Sequence, residues 1–125
     1  MPEVSLTERE LDLMAILWEL GSATVPEVRA RLADDLAYTS VQTVLRTLVA
    51  KGYVTHEEEG RFHRYRPLVA REEAGQSALK RMLATIFGGS PELLLSQLVA
   101  QRNVSEEDIR RMRRLLDEHL SEEER

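Results

Sequence analysis

The chain has no cysteine among its 125 residues. That excludes a disulfide framework, a thiolate metal site and a thiol nucleophile. Aromatic residues make up 5 % of the chain, so burial has to rest on Leu, Val, Ile and Ala. No run approaches the roughly eighteen apolar residues of a membrane span, and no basic-then-apolar leader opens the chain. The expectation is a soluble, cytoplasmic protein with no membrane insertion. Catalytic patterns are absent as well: there is no GxSxG, no HExxH, no P-loop and no glycine-rich dinucleotide turn. No enzyme activity, catalytic residue or cofactor is expected. His56, His63 and His119 do not stand at metal-ligand spacing, so no metal is expected either, although His56 and His63 can approach each other across a hairpin.

One further absence points to a function. The stretch Ala37–Val54, AYTSVQTVLRTLVAKGYV, reads as a helix with no carboxylate. Tyr38, Val41, Val44, Leu45 and Leu48 recur at steps of three and four, the period of a helix face turned to a core. Ser40, Gln42, Thr43, Arg46 and Thr47 point elsewhere. Thr39 with Gln42 fits a capping box at the start. Lys51-Gly52 fits an end, with a cation at the negative pole followed by a residue that accepts left-handed dihedrals. Hydroxyls, an amide and a guanidinium without a carboxylate can meet base edges and phosphates without repelling a polyanion.

The flanking segments fit a winged helix-turn-helix. Thr7 and Glu10 have capping-box spacing ahead of a first helix, on which Leu6, Leu11, Met14, Leu17 and Trp18 form a stripe that Gly21 ends. Trp18 reads as core packing rather than as a platform for bases. Thr24, Pro26 and Glu27 open a second helix, which Asp34 and Asp35 close. A short connection then reaches the polar helix. After Gly52 the period becomes two. Tyr53 to Glu59 and Arg61 to Pro67 read as strands around Gly60, a basic hairpin able to lie along phosphates or in a minor groove. Against that stands Glu57-Glu58-Glu59, which fits a solvated charged edge.

Beyond Pro67 the chain is helical. Helices are expected from Ala70 to Phe87, from Glu92 to Gln101 after the cap Ser90 and Pro91, and onward from Ser105, with Asp108 at capping-box distance. These 56 residues hold more apolar surface than they can cover alone, and such stripes are usually covered by another copy. The candidate dimerisation contacts are Leu79, Met82, Leu83, Ile86, Leu94, Leu98, Ile109, Met112 and Leu116. The fold expected is therefore mainly α with a small β-hairpin wing: a winged helix-turn-helix domain over residues 1–69 and a helical dimerisation domain over 70–125.

The net charge of −5 weighs against nucleic acid, but its distribution weighs for it. From Tyr38 to Arg66 the bases Arg46, Lys51, Arg61, Arg64 and Arg66 oppose Glu57, Glu58 and Glu59, a local +2 that leaves −7 for the remainder. Screening confines each charge to about 8 Å at physiological salt, so a basic face on an acidic body can bind DNA.

Four segments together, LxxxELDLMxxLWELGxATVxEV, AYTSVQTVLRTLVAKGYV, GRxHRYRPL and FGGSPELL, resemble the penicillinase-repressor family (BlaI/MecI/CopY) over roughly residues 6 to 120. The resemblance implies a homodimeric repressor on a palindromic double-stranded DNA operator. The family's reading positions match Thr39, Ser40, Gln42, Thr43 and Arg46, with Tyr38 just before them beside the DNA backbone. Arg61 and Arg64 match the wing. β-Lactam-responsive members are inactivated when a sensor-linked protease cuts an Asn-Phe bond. Here that bond falls at Gln97-Leu98, where neither residue matches. Copper-responsive members use a cysteine motif, which this chain lacks. The competing reading is a winged-helix module that binds protein and not DNA.

Overall fold

The computed structural model describes residues 3–124. Six helices and one antiparallel hairpin follow one another along the chain. Contacts divide it into two compact units, Met1–Leu79 and Lys80–Arg125, with the division falling inside the fourth helix.

In the first unit, α1 (Glu8–Leu20) starts at Thr7, whose hydroxyl accepts from the Glu10 N–H while the Glu10 carboxylate accepts from the Thr7 N–H. Thr24 and Glu27 make the same reciprocal pair at α2 (Val25–Arg31). Both boxes are legible in the sequence because each closes within four residues. α2 stops at Arg31, ahead of the expected Asp34-Asp35; Leu32 caps it in an extended conformation. α3 (Tyr38–Ala50) follows, then β1 (Val54–Glu59) and β2 (Phe62–Pro67) around the tip Gly60, whose φ is 60°. The hairpin register pairs Val54 with Pro67, His56 with Tyr65 and Glu58 with His63. Ala23 adds a stub of third strand, exchanging hydrogen bonds of 3.0 and 2.8 Å with Tyr65.

The core lies among these elements. Leu13, Met14, Leu17, Val28, Val41, Leu45, Leu48 and Val54 are fully buried, one stripe from each helix plus the root of the hairpin. Trp18 is half-buried against this cluster and its Nε1 donates to the Val69 carbonyl at 2.8 Å. Its indole is thus committed to packing, with the Arg71 guanidinium 5.8 Å from the ring centre.

α4 (Arg71–Thr85) leads out of the first unit. Gly88 and Gly89, with φ of 55° and 81°, turn the chain where an L side chain would be strained. α5 (Pro91–Val99) is capped by Ser90, and α6 (Glu106–Glu123) by Ser105 and Asp108 in a capping box. In the second unit Phe87 is buried, but α5 and α6 have no buried residue. Among the described residues no helix is long and apolar enough to cross a membrane.

Candidate nucleic-acid interface

α3 starts two residues earlier than a cap at Thr39 requires. Ala37, extended at φ −64° and ψ 151°, is the cap residue, and no side chain bonds the helix start. The Thr39–Gln42 capping box therefore does not form. Tyr38, half-buried against the core, begins the helix and places Thr39 inside the first turn. The Ala37 carbonyl accepts from the Ser40 and Val41 N–H groups, each at 3.1 Å.

Val41, Leu45 and Leu48 fix the rotation of α3 by being fully buried. That rotation leaves Thr39, Ser40, Thr43, Arg46 and Thr47 exposed and Gln42 half-buried. The hydroxyls differ in what they can still do. Thr43 Oγ1 donates to the Thr39 carbonyl at 2.8 Å and Thr47 Oγ1 to the Thr43 carbonyl at 3.0 Å. The Thr39 and Ser40 hydroxyls have no such partner among the described residues. The exposed guanidinium of Arg46 forms no ion pair among them either. Its charge reaches Tyr65 on β2. Burial raises the Tyr65 phenol above its ordinary range, and Arg46 opposes that rise. α3 packs against β1, the first strand of the hairpin.

The two faces of the hairpin differ in character. One carries Val54, Tyr65, His56 and His63; Val54 and Tyr65 are buried, and the two imidazoles stack 4.8 Å apart with planes 5° from parallel. The expected approach of His56 and His63 is thus realised. The opposite face is an ion-pair lattice. Arg64 meets Glu59 at 2.8 Å, Glu27 at 3.1 Å and the Ser22 hydroxyl at 3.3 Å, with its side chain 22 % exposed. The hydrogen bond to Glu59 holds the guanidinium above its usual range, while hydrogen bonds from Thr24, helped by the nearby Arg64, hold Glu27 below the usual carboxylate range. Arg66 meets Glu57 at 2.9 Å. Glu57 and Glu59 thus neutralise two wing arginines. Arg61 stays exposed beside the tip with no ion pair among the described residues.

Lys51 does more than close α3. Its Nζ bonds the Glu10 carboxylate at 2.7 Å, and Glu10 is only 4 % exposed. Burial pushes that carboxyl up, but the Lys51 ammonium and the Thr7 N–H outweigh it and hold it below its ordinary value. The pair ties the start of α1 to the end of α3 and so fixes where α3 sits.

The structure thus brings Tyr38, Thr39, Ser40, Gln42, Thr43 and Arg46 onto one helix, places Arg61 at the adjoining tip and ties Arg64 down. Thr47 lies on the same exposed face, as its spacing in the sequence indicates, although it is not among the residues expected to contact DNA. The nine apolar residues expected to serve dimerisation are exposed or half-buried: Leu79, Met82, Ile86, Leu98, Ile109 and Leu116 are exposed, and Leu83, Leu94 and Met112 are intermediate.

Comparison with known proteins agrees with the geometry. The family described as Penicillinase repressor matches residues 6–118. The transcriptional regulator BlaI of Mycobacterium tuberculosis is 34 % identical over 90 % of this chain and 83 % of its own. The penicillinase repressor of Bacillus licheniformis is 25 % identical over 95 % of this chain and 93 % of its own. Among solved structures, the DNA-binding domain of the repressor BlaI aligns with 55 % of this chain and 87 % of its own at a TM-score of 0.50 and 28 % identity. That likeness identifies the hairpin as the wing of a winged helix-turn-helix. A match this extensive makes the chain a member of the penicillinase repressor family, whose members are transcriptional repressors and not enzymes.

Proposed function

We propose that this protein is a sequence-specific, DNA-binding transcriptional repressor acting as a homodimer on a palindromic operator. Residues 1–69 bind the duplex and residues 70–125 hold two copies together. The observation that carries the reading is the exposed face of α3, free of carboxylates, with the unpaired Arg46 among hydroxyls on a helix that packs against the hairpin. In a major groove Gln42 and Arg46 have the chemistry for base edges, since an amide pairs with adenine and a guanidinium with guanine. Thr39 and Ser40 keep hydroxyl protons for phosphate oxygens, and Arg61 at the wing tip adds a phosphate contact.

The homodimer is supported by α5 and α6, which bury no side chain of their own although Leu93, Leu95, Leu98, Ile109, Leu115, Leu116 and Leu120 are more than a third exposed. Covering the remaining half of each leucine in a partner contributes about 1 kcal/mol. Two-fold symmetry then sets two half-sites about 34 Å apart, or a multiple of that. Release by a sensor-linked protease would require one that accepts Gln97-Leu98 in α5, where both residues are exposed but neither matches the Asn-Phe pair.

Arg46→Ala tests the reading. Because Arg46 is exposed, the variant folds, and it loses about 1–3 kcal/mol of specific binding. A folded variant that binds the operator as tightly as wild type at every salt concentration would remove α3 from the DNA. A protein-binding module would instead show no salt-sensitive specific shift with any duplex.

A further inference from the structure

The Thr43 and Thr47 hydroxyls are already spent. Each holds one proton, and a backbone carbonyl can only accept, so the bonds Thr43 Oγ1 to Thr39 O (2.8 Å) and Thr47 Oγ1 to Thr43 O (3.0 Å) consume both protons. Back-bonding of this kind is a common way for a helical threonine to satisfy its hydroxyl. Its consequence at an exposed position is chemical. A phosphate oxygen accepts and does not donate, as do N7 and O6 of guanine and O4 of thymine. None of these can be bonded by Thr43 or Thr47 unless the helix bond is broken first. With its proton committed to the preceding turn, each exposed side chain keeps its methyl and the lone pairs of Oγ1, which can accept only from an amino group of adenine or cytosine.

The two methyls stand four residues apart on the exposed side of α3, flanking Arg46. A major groove presents one apolar group on its base edges, the C5-methyl of thymine. We infer that Thr43 and Thr47 are specificity-determining residues that read thymine through methyl contact, while the phosphate contacts of this helix fall to Thr39 and Ser40. The inference rests on the DNA-binding reading above and sharpens it: the operator carries thymine opposite Thr43 and Thr47, and its discrimination there is apolar. Burying one methyl between two apolar surfaces changes affinity about three- to five-fold.

The test starts from a random pool of duplexes, from which the full chain selects its own site. Each thymine of the selected site is then replaced singly by uracil, which deletes only the methyl. Wild type should lose about three- to five-fold at one or two thymines in each half-site. That loss should vanish in Thr43→Ser or Thr47→Ser, which keep the hydroxyl and delete the methyl. Thr43→Val, which keeps a methyl and deletes the hydroxyl, should bind within about two-fold of wild type. The inference is overturned if uracil is neutral at every position, or if Thr43→Val binds weakly while Thr43→Ser binds normally, the pattern of a hydroxyl contact. In either case the selected duplex still binds and the DNA-binding reading stands. If no duplex is enriched at all, both readings fall.

Discussion

The two units of this chain cover their apolar stripes by different means. In Met1–Leu79, α1, α2 and α3 close on one another and on the root of the hairpin, and eight large side chains are lost from solvent almost completely. In Lys80–Arg125, Phe87 is buried, while α6 runs for 18 residues without burying one. Yet α6 is not a weakly specified helix. It has a full capping box, and pairs at i,i+3 and i,i+4 join Arg110 and Arg111 to Glu106, Glu107 and Asp108. Its secondary structure is built locally and its apolar residues are left exposed. The first unit carries its own core; the second supplies a face whose cover, in the function proposed, is a second copy.

The contrast can be broken first at the core. Leu45→Ala, at a fully buried site, should destabilise the first unit by about 2–5 kcal/mol in urea unfolding. Leu115→Ala, at a side chain 65 % exposed, should leave that transition where it was. Equal effects would mean that the two units share one core. Next comes the Glu10–Lys51 pair. Lys51→Met strands a buried carboxylate and should cost about 1.5–3 kcal/mol. Glu10 has its folded-state pKa below the ordinary 4.5. Its contribution is therefore fully present above that value and fades as the pH falls through the lower folded value. Wild type should lose stability over that acid window, and Lys51→Met should lose less.

The second unit is probed by Leu116→Glu, which sets a charge on the exposed face. It should weaken self-association at least about ten-fold, or 1.4 kcal/mol, in sedimentation equilibrium, with unfolding of the first unit unchanged. An unaltered association constant would move the dimer contact off α6. A smaller effect separates the two wing arginines. Arg61→Ala should reduce the salt slope of operator binding by about 1 and leave the melting temperature alone. Arg64→Ala, which releases Glu27 and Glu59, should lower the melting temperature. The reverse pattern would exchange their roles. The smallest effect is expected at Asp108. Hydrogen bonds from Ser105 and Arg111 hold its carboxyl down at about 2. Its support of α6 is complete above the ordinary value of 3.8 and should be lost between 3.8 and 2, read as falling helicity in circular dichroism.

What the sequence made legible was whatever closes over short distances. The caps at Thr7, Thr24, Ser90 and Ser105 each act on residues three positions away. The core stripe of α3 was equally plain, because burial on one helix face imposes its own period. What stayed hidden depends on residues remote in the chain. Arg64 counts as a free basic group until Glu27, 37 positions earlier, and Glu59 are folded against it. Lys51 looks like a helix-end cation until Glu10, 41 positions away, arrives beneath it. The start of α3 misled locally: Thr39 has cap chemistry, but Tyr38 packs against the core and draws the helix start forward. The back-bonded hydroxyls of Thr43 and Thr47 needed coordinates, since the spacing alone does not say which proton is in use.

The account stands on a first unit that reads duplex DNA with α3 and a second unit that doubles it. Hydroxyl-radical footprinting of the full chain on its selected duplex tests both halves at once. The prediction is two protected half-sites related by two-fold symmetry, their centres about 34 Å or a multiple of that apart. Protection of a single unpaired half-site, or none that responds to salt, would contradict it.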